Sequence, residues 1–464
     1  MADHPGPGSS GGPTEAPVLI PGYTLQTMTD KISSVVISGR TPRIWWLGFG
    51  LSFLGLCCLL VAVTALLLLG VGIWGISRPV MWGFAITNFV WWIGIGHAGT
   101  FISAFLLLMR QTWRTSINRF AEAMTLFAVA CAGMFPLLHL GRPKFFYWLF
   151  PYPSVYQVWP QFRSPLVWDV VAVSTYFTVS LLFWYVGLIP DLATLRDRTR
   201  RRGAKAVYGI LSMGWRGSAI HWKRYESAYQ ILAGLATPLV ISVHTVVSFD
   251  FSVSILPGWH STIFPPYFVA GAIFSGFAMV LTLILPIRAA FGLHSFVTAR
   301  HLENMAKLLL VTGLIVAYGY LSEGFMAWWS RDPYDRSMMT DRLSGAYGPV
   351  TWIVLGCNVA APQILWSSRA RRSVIALFVL SLLINIGMWT ERFVIVVQSL
   401  HRDFLPAAWH LYVPTIWDWA TLLGSMGLFL TLLFLFIRFL PVLSMSEMRS
   451  LLREEPAAEG RLLS

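Results

Sequence analysis

Charge is scarce in this chain. Asp, Glu, Lys and Arg make up only 12% of its 464 residues, about half the share found in soluble proteins. With 56% hydrophobic residues, this excludes an ordinary soluble domain and defines an integral membrane protein. Cysteine is equally rare. The four present, Cys57, Cys58, Cys131 and Cys357, all lie inside apolar runs and form no C-x-x-C pair. That spacing leaves no iron–sulfur ladder, no c-type haem attachment and no zinc ribbon, so they are read as packing residues. Residues 1 to about 40 form a Gly/Pro/Ser-rich polar stretch. They lack the basic n-region, short apolar core and small-residue cleavage site of a secretory signal, so the first apolar run is expected to remain as a span. The net charge of +13 sits in the loops between apolar runs, which excludes a polyvalent nucleic-acid surface and makes the charge a topology signal.

What is abundant is aromatic and apolar. Aromatics reach 15%, with 22 Trp, which suits a protein with two lipid–water interfaces. Crossing the hydrocarbon takes about 20 apolar residues. Runs of this kind cover 44–74, 82–109, 120–141, 165–188, 228–250, 265–290, 304–327, 348–366, 373–399 and 414–440. Ten spans place both termini on one side. The loops after the second, fourth, sixth and eighth runs carry clusters such as Arg110, Arg114 and Arg119, the group Arg196 to Arg224, Arg288 with Arg300, and Arg369 to Arg372. The positive-inside rule puts these loops and both termini in the cytoplasm of a bacterial inner membrane. Arg142, Lys144 and Arg163 are the exception and fall outside.

Two halves of the chain match. TNFVWWIGIGHAGTFIS aligns with PPYFVAGAIFSGFAM, placing Gly94 over Gly271 and Gly99 over Gly276; INRFAEAM aligns with TARHLENMA, Glu122 over Glu303; SPLVW aligns with GPVTW. Four helices separate equivalent elements, so the repeats share one topology. The expected fold is all-α: ten transmembrane helices in two same-topology four-helix bundles, helices 2–5 and 6–9, flanked by helices 1 and 10. The expected divisions are a flexible tail (1–43), a peripheral first helix (44–81), the two bundles (82–250 and 251–399), and a last helix with its tail (400–464). In this register His139 falls opposite Tyr320 and Asp169 opposite Ile353, so the first half holds ionisable groups where the second has none.

Ionisable residues at membrane depth are costly and mark functional sites by default. In MFPLLHLGRPKFFYWLF, His139 ends the third run at the outer side. Asp169 opens the fourth run, Asp250 closes the fifth and Arg392 lies in the outer half of the ninth, so four helices bring ionisable groups to one depth. Aromatics surround them in sequence: Phe135, Phe145, Phe146, Tyr147, Trp148 and Trp168. An imidazole and carboxylates under an aromatic roof, reached through lipid, suit a quinol, whose oxidation releases two electrons and two protons. His139 and Asp169 would bind the ring hydroxyls and take the protons. Asp250 would pass them outward, and Arg392 would hold the Asp charge or orient the ring. Blander roles stand beside these: dipole partner for Asp169, snorkelling for His139, loop cap for Asp250, and pairing with Glu391 for Arg392. His97, His244, Glu122, Glu303 and Lys307 lie deeper or toward the cytoplasm. From Glu122 to His139 the helix climbs about 26 Å, most of the hydrocarbon thickness, so these residues form either a proton path or ordinary satisfied polar groups.

HLGRP (139–143), HTVVSFDFSVSILPGWHSTIFPPYFVAG (244–271) and WWIGIGHAGTFISA together resemble the NrfD/polysulfide-reductase family of quinone-interacting membrane subunits. The likeness spans about 44–440 and is nearest to the ten-helix subunits of alternative complex III, the quinol-oxidising ActC type with ActF as its paralogue. It implies oxidation of menaquinol or ubiquinol at the outer side and electron transfer to a peripheral iron–sulfur subunit. Beyond that lie multihaem cytochrome c subunits and a paralogous ten-helix subunit. The resemblance implies no haem or cluster in this chain, a docking role for Arg142, Lys144 and Arg163, and possible proton translocation. Four alternatives remain open: the paralogous non-oxidising proton-path subunit, the membrane anchor of a polysulfide- or nitrite-type reductase, a proton-coupled transporter, and a haem-b cytochrome ligated by His97 and His244.

Overall fold

The computed structural model describes residues 18–19, 22–38, 41–149, 164–402 and 404–452. Ten of its helices are long and apolar enough to cross a membrane. They are α1 (Arg43–Leu69), α2 (Phe84–Leu108), α3 (Asn118–His139), α4 (Pro165–Arg198) and α5 (Ala219–Ser252), then α6 (Phe264–Ala290), α7 (Ala299–Trp329), α8 (Gly348–Trp366), α9 (Val374–Gln398) and α10 (Ile416–Phe439). The face bearing the arginine-rich connections α2–α3, α4–α5, α6–α7 and α8–α9 is the basic face below, and its opposite is the far face.

Several ends differ from the apolar runs. The first span stops at Leu69, because Gly70 takes φ +81° and breaks the helix where only glycine is unstrained. α4 and α5 instead run on as helix well past the apolar stretch, to Arg198 and back to Ala219. Nothing in backbone chemistry ends a helix where hydrocarbon ends, and Ser218 caps α5 by accepting from the His221 N–H.

α2 packs on α3 and α5, α4 packs on α3 and α5, and these four helices close a ring. α6, α7, α8 and α9 form a second ring, joined to the first through α2–α6, α5–α6 and α2–α9 contacts. α1 lies along α10, and α10 reaches α3 and α2. α2 and α6 are therefore the most enclosed helices, and they carry the small residues that allow it. A Cβ on Gly276 would lie 1.8 Å from the Cβ of Ala98, and one on Gly99 would lie 2.1 Å from the Ala121 carbonyl. Of the glycines aligned between the two halves, Gly99 and Gly276 thus mark close helix crossings, the usual way for membrane helices to pack closely.

Both expected tails contain packed structure. Leu25–Ile37 is a helix with a Thr24 capping box, burying Met28, Ile32 and Val36. After α10 the chain turns back, and Ser444, Met445 and Met448 are fully buried.

Candidate functional site

At the far face, α4 and α5 bring Asp169 and Asp250 side by side, near enough for the two carboxyl groups to feel each other's charge. Asp169 is 6% exposed, and neither of its oxygens has a hydrogen-bond partner. Buried carboxyls are normally satisfied, so this pair is poised for something other than packing. The neighbouring rings Trp168 and Phe249 meet edge to face at 6.3 Å, giving the pair one aromatic wall, and Trp168 is exposed on its outer side.

His139 ends α3 on the side facing α10. It lines a small crevice with Met81, Gly83, Phe84 and Asp418, and no hydrogen bond or ion pair joins it to Asp169. Phe135, one turn earlier on the same face of α3, is fully buried, and His139 carries that face on to the crevice beside Asp418 of α10. The α1–α2 connection links the two places. Met81 lines the His139 crevice, while Trp82 packs on Phe251, beside Asp250, with ring centres 6.2 Å apart. Asp418 is itself fixed, accepting from the Gly75 and Thr415 N–H groups and the Tyr412 hydroxyl. Arg142, Lys144, Phe146 and Tyr147 cover this end on the surface. Arg163 and the Trp148 side chain lie outside the described residues.

Arg392 is placed elsewhere. α9 packs on α6 and α8, so its guanidinium lies 4.3 Å over the Phe268 ring, 3.0 Å from where a Gly271 Cβ would stand, and 3.7 Å from the Glu391 carboxylate. It makes no bond to Asp169 or Asp250. The pairing with Glu391 is present.

Behind the far-face groups a polar seam runs through the first ring of helices. His97 on α2 and His244 on α5 meet Nδ1 to Nδ1 at 2.8 Å, both fully buried. His97, Thr100 and Ser103 recur every third residue, so they share one face of α2 over about 9 Å. The Tyr176 ring lies 4.5 Å from His97, and its hydroxyl donates to the Gly96 carbonyl at 2.8 Å. Thr100 donates to Ser180 at 3.1 Å. Ser103 donates to Glu122 at 2.5 Å, and Tyr229 donates to the same Glu122 oxygen at 2.8 Å.

Glu122 ends the seam in an ion cluster that apolar counting misses. Arg119, expected in a loop, is 1% exposed inside the first turn of α3, 3.6 Å from Glu122 and 3.3 Å from Asp191. Asp191 lies past the apolar run of α4 in a stretch reading as basic loop. It is fully buried because the helix continues and residues 444–446 cover it. Tyr229, Asp191 and Glu447 had no sequence signal beyond being polar at a span end. Glu303 and Lys307 are separate from this seam. Glu303 pairs with Lys307, Arg371 and Arg372 at the rim of the second ring, and Lys307 is largely exposed.

The ten-helix membrane scaffold agrees with what known proteins of similar sequence are. Residues 73–402 match the family model described as "Polysulphide reductase, NrfD", and this chain belongs to that family. It is also 25% identical over 363 residues to a putative membrane subunit of dimethyl sulfoxide reductase from Halobacterium salinarum, covering 75% of this chain and 78% of that protein. The chain is thus a multi-pass membrane protein of the NrfD polysulphide-reductase family.

Proposed function

We propose that this chain is the quinol-oxidising membrane subunit of a multisubunit oxidoreductase, of the ActC type found in alternative complex III. The observation that carries the reading is the Asp169–Asp250 pair: two neighbouring buried carboxyl groups, the oxygens of Asp169 without hydrogen-bond partners, beside Trp168 at one membrane face. Oxidising menaquinol or ubiquinol requires bases within hydrogen-bond reach of the ring hydroxyls. Asp169 accepts one hydroxyl proton, and Asp250, held against it, receives and releases it toward the far face. His139 serves the second hydroxyl. The aromatic side chains Trp168 and Phe249 supply a flat apolar wall for the ring. Electrons leave to a peripheral iron–sulfur subunit docked on the far face, where Arg142 and Lys144 are exposed, and from there to multihaem cytochrome subunits. The membrane part is completed by a paralogous ten-helix subunit. The seam from His244 to Glu122 carries protons across the bundle, and each charge moved against the potential couples about 2.3 kcal/mol per 100 mV.

A second reading runs the same site in reverse, as the membrane anchor that feeds a terminal reductase. The relative named as a dimethyl sulfoxide reductase membrane subunit favours it. The test is quinol oxidation by the intact complex carrying Asp169→Asn or His139→Ala. Loss of turnover with Asp169→Asn supports the assignment, and wild-type turnover in both variants removes it. The proteins that co-purify decide the direction of electron flow.

A further inference from the structure

The last described segment closes the basic face of the first helix ring. Ser444 accepts from Arg119, and the Met445 and Ser446 N–H groups donate to Asp191 at 3.2 and 3.0 Å. These bonds, with Met445 and Met448 fully buried, seat the segment under α3 and α4. The next residue, Glu447, is held by Arg114 at 2.9 Å and by Asn118 at 2.8 Å, both on its Oε2. Its Oε1 has no partner. A cavity of about 580 Å³ opens beside it, running from Arg110 and Gln111 to Glu447 on one wall and Tyr229 on the other. Water needs about 30 Å³ per molecule and two to four polar partners, and this cavity supplies both. Tyr229 is the residue that donates to Glu122, so the cavity touches the end of the seam.

We propose that Glu447 is the proton-uptake group of the basic face, delivering protons across the cavity to Tyr229 and Glu122. This rests on the reading of the seam as a proton path. The transfer balances. Tyr229 passes its hydroxyl proton to the Glu122 carboxylate and takes one from a cavity water. Glu447 returns a proton to that water, becomes a carboxylate, and is reprotonated from the aqueous side. Arg114 stabilises the carboxylate between transfers, and Asn118 fixes its orientation. The segment Ser444–Leu452 is therefore part of the conducting machinery, although it lies outside all ten spans.

The experiment uses the intact complex in proteoliposomes, with proton uptake at the basic face followed by a pH-sensitive dye during quinol oxidation. Glu447→Gln lowers uptake per electron at least tenfold. Glu447→Asp retains it, and millimolar azide or formate, small enough for the cavity, restores it in the Gln variant. A merely structural role for Glu447 gives no such rescue. Tyr229→Phe, which leaves the segment's contacts in place, produces the same loss and serves if Glu447→Gln fails to assemble. Wild-type uptake in either Glu447→Gln or Tyr229→Phe, with Glu122→Gln blocked, overturns this proposal alone. Wild-type uptake in Glu122→Gln, or no uptake by the unmodified complex, overturns the seam and this proposal with it.

Discussion

His97 and His244 share one hydrogen bond between their Nδ1 atoms, 2.8 Å apart in the middle of the first helix ring. One ring must donate and the other accept, so each fixes the other's tautomer and leaves one Nε2 bare and one protonated. A haem iron held between two axial imidazoles needs metal–nitrogen bonds of about 2 Å on opposite sides, which would set the nitrogens about 4 Å apart. The purified chain is therefore expected to show no reducible Soret band. A haem spectrum at one per chain would refute the pairing. Replacing either histidine by Phe interrupts the seam and is expected to cut proton uptake at least tenfold, measured as above, while the fold persists.

In the proposed function Asp169 and Asp250 act as one unit, so their substitutions should not add. Each of Asp169→Asn and Asp250→Asn is expected to reduce quinol oxidation by about 10²- to 10⁴-fold, the usual range for losing a positioned proton acceptor. The double variant should fall little further than the worse single one. Steady-state turnover of the three variants decides it, and full additivity would mean that the carboxyls work apart.

The crossing of α2 and α6 gives a packing prediction. Gly276→Ala drives its new methyl into Ala98 and is expected to destabilise by about 1–3 kcal/mol, as overpacked sites do. Adding Ala98→Gly removes the obstructing methyl and should recover most of the loss. Thermal unfolding in detergent of the single and double variants is the measurement. An unrescued double variant would place the clash elsewhere.

Arg119 holds two carboxylates, and Asp191 also receives two backbone N–H groups. Asp191→Ala leaves a buried guanidinium with one partner fewer and frees residues 445–446. Breaking a buried ion pair from one side costs about 3–5 kcal/mol. Lower yield and a lower midpoint in detergent are expected. Protease sensitivity should appear first between Phe439 and Leu452, as seen by mass mapping.

The ten spans were legible because hydrocarbon imposes a length and a composition that no packing detail overrides. Aligned glycines such as Gly99 and Gly276 were legible for a related reason, since close crossings leave no alternative residue. The lateral arrangement of charges was not. Depth along a helix follows from counting, whereas rotation about its axis depends on neighbours. Asp169 and Asp250 were expected together and lie together, but Arg392 at similar depth turns to Phe268, and His139 turns to the α10 side. Arg119 and Asp191 were hidden because a charged residue beside an apolar run reads as loop. Only the covering segment 444–452, far away in sequence, turns that position into interior.

That covering segment also sets an order of construction. A nascent chain that has threaded α2 to α5 into the bilayer holds Arg119 and Asp191 at an unsealed end. Ribosomal synthesis must pass five further spans before Ser444 to Met448 emerge to seal them. The helix ring inserted first is the one finished last, and a chain stalled after α10 would present its polar interior to water and to quality-control proteases.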